Sequence, residues 1–175
     1  MKARLFFIYC VVTMIFAAFI GIQPLQGAVA ISTEDLARAS DVVLRGVVEQ
    51  TKSMWDAKAG TVITRANLKV TQVIRGSTNA KNVSFEFEGG TVGDLTLQLR
   101  DIASVAKGED VIVFLKTKKD KSTEKIFLIQ GDKQGKYTVK NGVVSKETDS
   151  VEGNLAVIDN NLPLSTFIKK IRGVL

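Results

Sequence analysis

The densest charge in this sequence lies between positions 116 and 125, where Lys116, Lys118, Lys119, Lys121 and Lys125 alternate with only two acids, Asp120 and Glu124. A cationic loop of that kind can grip a polyanion such as an acidic polysaccharide, with affinity that falls as salt rises. The plainer reading is a solvated hairpin tip whose acids offset part of the charge. Trp55 is the single tryptophan and sits in the polar run Lys52-Ser53-Met54-Trp55-Asp56. Tryptophan is favoured at binding hot spots, although a lone one near a strand end more often closes the mouth of a barrel. Gly89-Gly90-Thr91-Val92-Gly93 lacks the Lys-Ser/Thr ending of a phosphate loop and reads as a turn through positive φ.

Carboxylates offer a second chemistry. Glu86 and Glu88 share one face of a predicted strand, and Glu109-Asp110 are adjacent at a turn. Glycoside hydrolysis uses such pairs, but residues two apart on a strand are usually just the polar half of an alternation. Phe85 and Phe87 alternate with these acids, which sets them in a core and argues against nucleic acid as a partner. Glu147, Asp149, Glu152 and Asp159 match no calcium-loop spacing. The chain has no histidine and one cysteine, so the commonest metal ligands and nucleophile–base pairs are missing. Serine and lysine could still form a hydrolytic dyad, but there is no Gly-x-Ser-x-Gly elbow. No catalytic residue, metal or cofactor is expected.

The elements that must position these residues follow an N-terminal segment of distinct character. Lys2 and Arg4 precede an apolar run from Leu5 to Ile22, then Pro24, Gly27 and Ala28-Val29-Ala30. This is the pattern of a secretory signal over residues 1–30, with cleavage expected between Ala30 and Ile31 and an uncleaved membrane anchor as the alternative. Cys10 would leave with it. Loss of Lys2 and Arg4 gives 22 bases against 18 acids, a net charge of +4. The product, 31–175, is long enough to bury a core without disulfides and is expected outside the cytoplasm, with no membrane span.

Within it, Ser32 caps a short helix to Ala39, with Asp35 three residues on. Period-two alternation then marks strands over Asp41–Gln50 and Val62–Ile74, where Gly46 is a candidate bend. Val83, Phe85 and Phe87 alternate with polar residues, and Leu95, Leu97 and Leu99 restart the pattern. Val111–Leu115 is apolar on both faces, as a central strand would be, and Ile126–Ile129 repeats this. Asn141-Gly142 is a strong hairpin signal. Ser145–Asn161 reads as a surface loop, and a last helix from Leu164 carries Leu164, Ile168 and Ile171 on one side. About seven strands with a helix at each end predict one mainly β domain, a small antiparallel OB-like barrel, with a β-sandwich as the alternative.

Three stretches carry a family resemblance: Ala39-Ser40-Asp41-Val42-Val43-Leu44-Arg45-Gly46-Val47-Val48, Leu68-Lys69-Val70-Thr71-Gln72-Val73-Ile74-Arg75-Gly76 and Lys107-Gly108-Glu109-Asp110-Val111-Ile112-Val113-Phe114-Leu115. Together they resemble the OB-like barrel of the netrin and metalloproteinase-inhibitor type. They are also similar to uncharacterised exported bacterial and archaeal proteins with a Gly-Gly element like Gly89-Gly90 and a Gln-Gly pair like Gln130-Gly131. The resemblance implies the barrel. The inhibitors' zinc-chelating N-terminal cysteine and bracing disulfides have no counterpart in 31–175, so their mechanism does not carry over. The expected function is an exported, non-catalytic module that binds a protein or cell-envelope component through loops at Trp55, Gly89–Gly93 and Lys116–Lys125. The alternatives are a charge-driven polyanion binder and a histidine-free hydrolase with a raised-pKa carboxylate in a cleft.

Overall fold

The computed structural model describes residues 28–119, 125–148 and 151–174. Lys121 and nearly all of the expected signal segment lie outside the described residues. A two-residue strand, β1 (Ala28–Val29), precedes helix α1 (Thr33–Ala39). Ser32 Oγ accepts from the Asp35 N–H at 3.1 Å and donates to the Asp35 carboxylate at 2.7 Å, so the expected cap is formed.

Two long strands follow, β2 (Val42–Asp56) and β3 (Thr61–Arg75), then β4 (Asn82–Glu88), a small hairpin of β5 (Gly90–Val92) and β6 (Leu95–Leu97), β7 (Asp110–Thr117) and β8 (Ile126–Ile129). β7, β2, β3, β4 and β8 are hydrogen-bonded in that order, and β8 pairs back onto β7, giving a ring-like sheet of five strands. Four of the five seams are antiparallel; β4 and β8 run parallel, with Phe85 opposite Phe127. β9 (Lys136–Lys140), β10 (Val143–Ser145) and β12 (Leu162–Pro163) extend the sheet from β7, while β11 (Val151–Glu152) pairs in parallel with β1. The chain closes with helix α2 (Leu164–Arg172).

The fold is therefore mainly β and OB-like, as expected, and not a sandwich. Two details differ from the sequence reading. The ring uses five strands where about seven were expected, the others forming a flap beside it. One seam is parallel, which local alternation does not encode. β2 is also longer than expected: Lys52–Asp56 is the end of a strand rather than a loop. Ser145–Asn161 holds β11 and a 3-10 turn at Leu155–Val157, and it buries Val151 and Ile158.

β7 explains the packing. Val111, Val113 and Leu115 point into the ring with Leu44, Val48, Leu68, Phe85 and Phe127. Ile112 and Phe114 point the other way, into a second core built with Leu36 of α1, Tyr137 of β9, and Phe167, Ile168 and Ile171 of α2. A strand buried on both faces has no polar half, which is why Val111–Leu115 is uninterruptedly apolar. Tyr137 and Phe167 pack with ring centres 4.6 Å apart, and Phe114 meets Phe167 edge-on at 6.5 Å. Burying each such side chain contributes about 1.5–3 kcal/mol. The α2 stripe is thus core.

Candidate functional site

A concavity of about 830 Å³ opens where the β5–β6 hairpin, the segment 98–105 and the start of β9 face one another. Its floor is hydroxylic. The Thr91 N–H donates to Ser53 Oγ at 3.3 Å, Ser53 and Thr64 hydroxyls lie 2.9 Å apart, and Thr64 Oγ1 donates to the Gly89 carbonyl at 2.6 Å. Because the Thr64 proton goes to Gly89, Ser53 is the donor to Thr64, and the three bonds form one directed chain.

Gly90 makes this possible. A Cβ there would lie 2.3 Å from both Ser53 Oγ and Thr64 Oγ1, and its φ of 122° is open only to glycine. The Gly89 N–H donates to Val62 O at 2.8 Å, continuing the β3 edge into the hairpin. Gly89 and Gly90 therefore line the cleft by seating its hairpin on β2 and β3.

Cations that the sequence reading did not select also line the cleft: Arg100, Lys133, Lys136 and Lys146. Lys136 Nζ lies 2.6 Å from Glu109 Oε1, which also accepts from Thr138 Oγ1 at 2.7 Å. Burial alone would push the Glu109 carboxyl up; the bonds from Lys136, Thr138 and the Ala106 N–H outweigh it and hold the pKa below the usual range. Lys133 pairs with the exposed Glu147 at 3.1 Å. Lys146 Nζ donates to Gln134 O and lies 4.0 Å from the centre of the Tyr137 ring. Burial pulls its pKa down to about 7, opposed in part by the charge of Asp159. The signal available in the sequence was the alternation of β9, in which Tyr137 and Val139 face the core and Lys136 and Thr138 face away.

The expected loop residues are distributed differently. Trp55 is 54% exposed near the tip of the β2–β3 hairpin, so it does not close a mouth. Lys118 Nζ lies 2.5 Å from Glu86, whose other oxygen accepts from Arg65 at 2.7 and 2.9 Å. Glu86 is only 3% exposed and is no ordinary polar half of a strand. Lys125 sits 5.1 Å over the Phe127 ring, while Lys116 and Lys119 face solvent. None of these lysines lines the large cleft, and neither does Trp55.

The components of a hydrolytic site are not gathered there. Ser104 and Lys107 have Ser-x-x-Lys spacing, and Ser104 lines the cleft, but the two make no hydrogen bond to each other. Among described carboxyls with a resolved shift, only Asp132 is pushed up, by burial and then by Asp101; it lies outside this cleft. Among the described residues, no group of three or more acids or cysteines is placed to hold a metal, and no helix is long and apolar enough to cross a membrane. Compared with known proteins, the chain matches no family model and no curated relative.

Proposed function

We propose that this protein is an exported, non-catalytic binding module and that its cleft between the β5–β6 hairpin and β9 holds a polar segment of a cell-envelope component. The observation that carries this reading is the lining of the 830 Å³ cleft, in which Thr51, Ser53, Thr96, Ser104 and Thr138 from separate segments of the fold are joined by Arg100, Lys133, Lys136 and Lys146. Such a lining suits a ligand rich in hydrogen-bonding groups better than an apolar one. The OB-like ring supports the module reading, since folds of this type bind through their faces and loops, while the netrin-type resemblance contributes the scaffold alone. The secretory pattern of residues 1–30 supports export.

Residues 28–175 carrying a tag, incubated with separated envelope polysaccharide, wall peptide and membrane-protein fractions, test the proposal. Capture from one fraction, abolished by filling the cleft with Ser104→Trp and kept in Trp55→Ala, is the expected result. Capture that survives Ser104→Trp and is lost in Trp55→Ala moves the site to the hairpin tip. Capture lost only when Lys116, Lys118, Lys119 and Lys125 are neutralised, and lost in high salt, favours the polyanion reading instead.

A further inference from the structure

The β5–β6 hairpin leaves one edge of its small sheet uncovered. Gly90 faces Leu97, Thr91 faces Thr96 and Val92 faces Leu95, with Gly93 and Asp94 as the turn. Gly93 has a φ of 58°, which suits the first position of a two-residue hairpin loop. Val92 and Leu95 flank that loop and exchange main-chain hydrogen bonds, so Thr91 and Thr96 form the next, non-hydrogen-bonded pair, whose side chains come close. Their hydroxyls lie 3.0 Å apart. The Thr91 N–H accordingly points away from the hairpin and donates to Ser53 Oγ of β2. The Thr96 N–H and C=O point away on the opposite edge, where among the described residues no group meets them.

Proteins ordinarily guard such an edge with lysine, proline or a bulge. In Asp94-Leu95-Thr96-Leu97-Gln98-Leu99-Arg100 there is neither lysine nor proline, and three leucines alternate with Thr96 and Gln98. Leu95 is 52% exposed and Leu99 37%. The segment is also its own complement. An antiparallel copy turned about Leu97 sets Leu95 opposite Leu99, Thr96 opposite Gln98 and Asp94 opposite Arg100. The parity agrees: Gln98 lies two residues beyond Thr96 and shares its outward direction, so these two meet where main-chain hydrogen bonds form. The leucines then occupy the non-hydrogen-bonded positions, where side chains approach most closely. Neither Asp94 nor Arg100 has an ion-pair partner among the described residues.

We propose that β6 is a self-association edge and that its occupant is β6 of a second copy of this chain, antiparallel, with Leu97 at the two-fold axis. Each copy presents the same surface, as a two-fold contact requires. The charges select this occupant. A uniformly acidic or basic strand would satisfy one end of the segment and oppose the other, whereas the segment run backwards satisfies both. Thr96 and Arg100 also line the cleft, so the paired copy stands at the rim of the cleft whatever ligand that cleft takes. One short strand per copy is a small contact, which places dimerisation at about 10–100 μM.

Sedimentation velocity on the protein produced from its full-length chain, between about 1 and about 300 μM, tests the pairing. A monomer that becomes a dimer as concentration rises is the expected result. Thr96→Pro removes an N–H that the hairpin itself does not use, and this variant is expected to melt cooperatively and to stay monomeric throughout. Asp94→Arg and Arg100→Asp are each expected to weaken association about fivefold, and the two together to restore it. This exchange leaves the backbone untouched, so it carries the test if the proline variant fails to fold. Leu97→Cys, with Cys10→Ser, is expected to give an intermolecular disulfide under mild oxidation, because the two copies of position 97 face each other within bonding range. Leu95→Cys is not, since it faces position 99 of the other copy.

A wild type that remains monomeric over the whole range, or a dimer that persists in Thr96→Pro, overturns the proposal. Crosslinking through Leu95→Cys and not through Leu97→Cys overturns the register, as does a charge exchange that fails to restore what either reversal removes.

Discussion

Two groups of lysines invite comparison. Those from Lys116 to Lys125 are crowded in sequence yet diverge in space: Lys118 is drawn down onto Glu86, Lys125 lies over Phe127, and Lys116 and Lys119 point to solvent. Lys133, Lys136 and Lys146 are spread over a 3-10 turn, a strand and a following loop, yet all three line one cleft. Charge density along a chain measures solvation of a loop. Convergence measures what a ligand would meet, and it depends on pairing between β9 and β10.

The comparison can be broken most severely at Gly135, which ends the turn carrying Lys133. A Cβ there would lie 2.0 Å from Gln130 O and 2.9 Å from Ile129 Cγ2, and backbone cannot yield cheaply. Gly135→Ala is expected to destabilise by about 3 kcal/mol in urea unfolding, because the overpacked atom meets main chain. Next comes Glu86→Ala. It removes a buried carboxylate that both Arg65 and Lys118 bind, and a loss of about 2 kcal/mol by the same assay is expected, less than for fully buried pairs because both cations reach solvent.

Lys146→Met should move stability the other way. The folded pKa of Lys146 is lowered to about 7 from the 10.5 of a free lysine. The stability linked to its neutral form is complete above pH 10.5 and is lost as pH falls toward 7, so the wild type carries a penalty at pH 6 that the variant lacks. A gain of roughly 1 kcal/mol at pH 6, shrinking as pH rises toward 10, is the expected outcome of denaturation at several pH values. The smallest effect belongs to the crowded group: Lys116→Ser with Lys119→Ser should change stability by less than about 0.5 kcal/mol and leave capture by the cleft intact.

Much of the scaffold was legible because its signals are local. Ser32 and Asp35 announce the α1 cap, and the apolar stripe of Ile168 and Ile171 announces the buried side of α2. Asn141 and Gly142, with φ of 52° and 74°, form the β9–β10 turn that their dipeptide predicts. Gly46 marks a shift of register in β2, where a bend was expected.

The unread features are all non-local. The parallel β4–β8 seam joins segments with no shared pattern. The burial of Glu86 needs Arg65 from one neighbouring strand and Lys118 from beyond β7. Gly89-Gly90 was visible as a break, but the hydroxyls it leans on, Ser53 and Thr64, belong to other strands and are ordinary strand residues in sequence. From the expected loops, Gly89, Gly90 and Thr91 border the cleft, as does Ser53 from the run that carries Trp55.

The parallel seam also sets an order of events. β2, β3 and β4 meet through successive hairpins, which are short-range contacts that form early. β8 reaches β4 only after about forty further residues have been threaded through β7, and contacts of such separation slow folding. Ring closure is thus expected to be the late, rate-limiting event, and a chain paused before it would expose Phe85 and Phe127 together. That delay defines the interval in which the chain is most prone to aggregate.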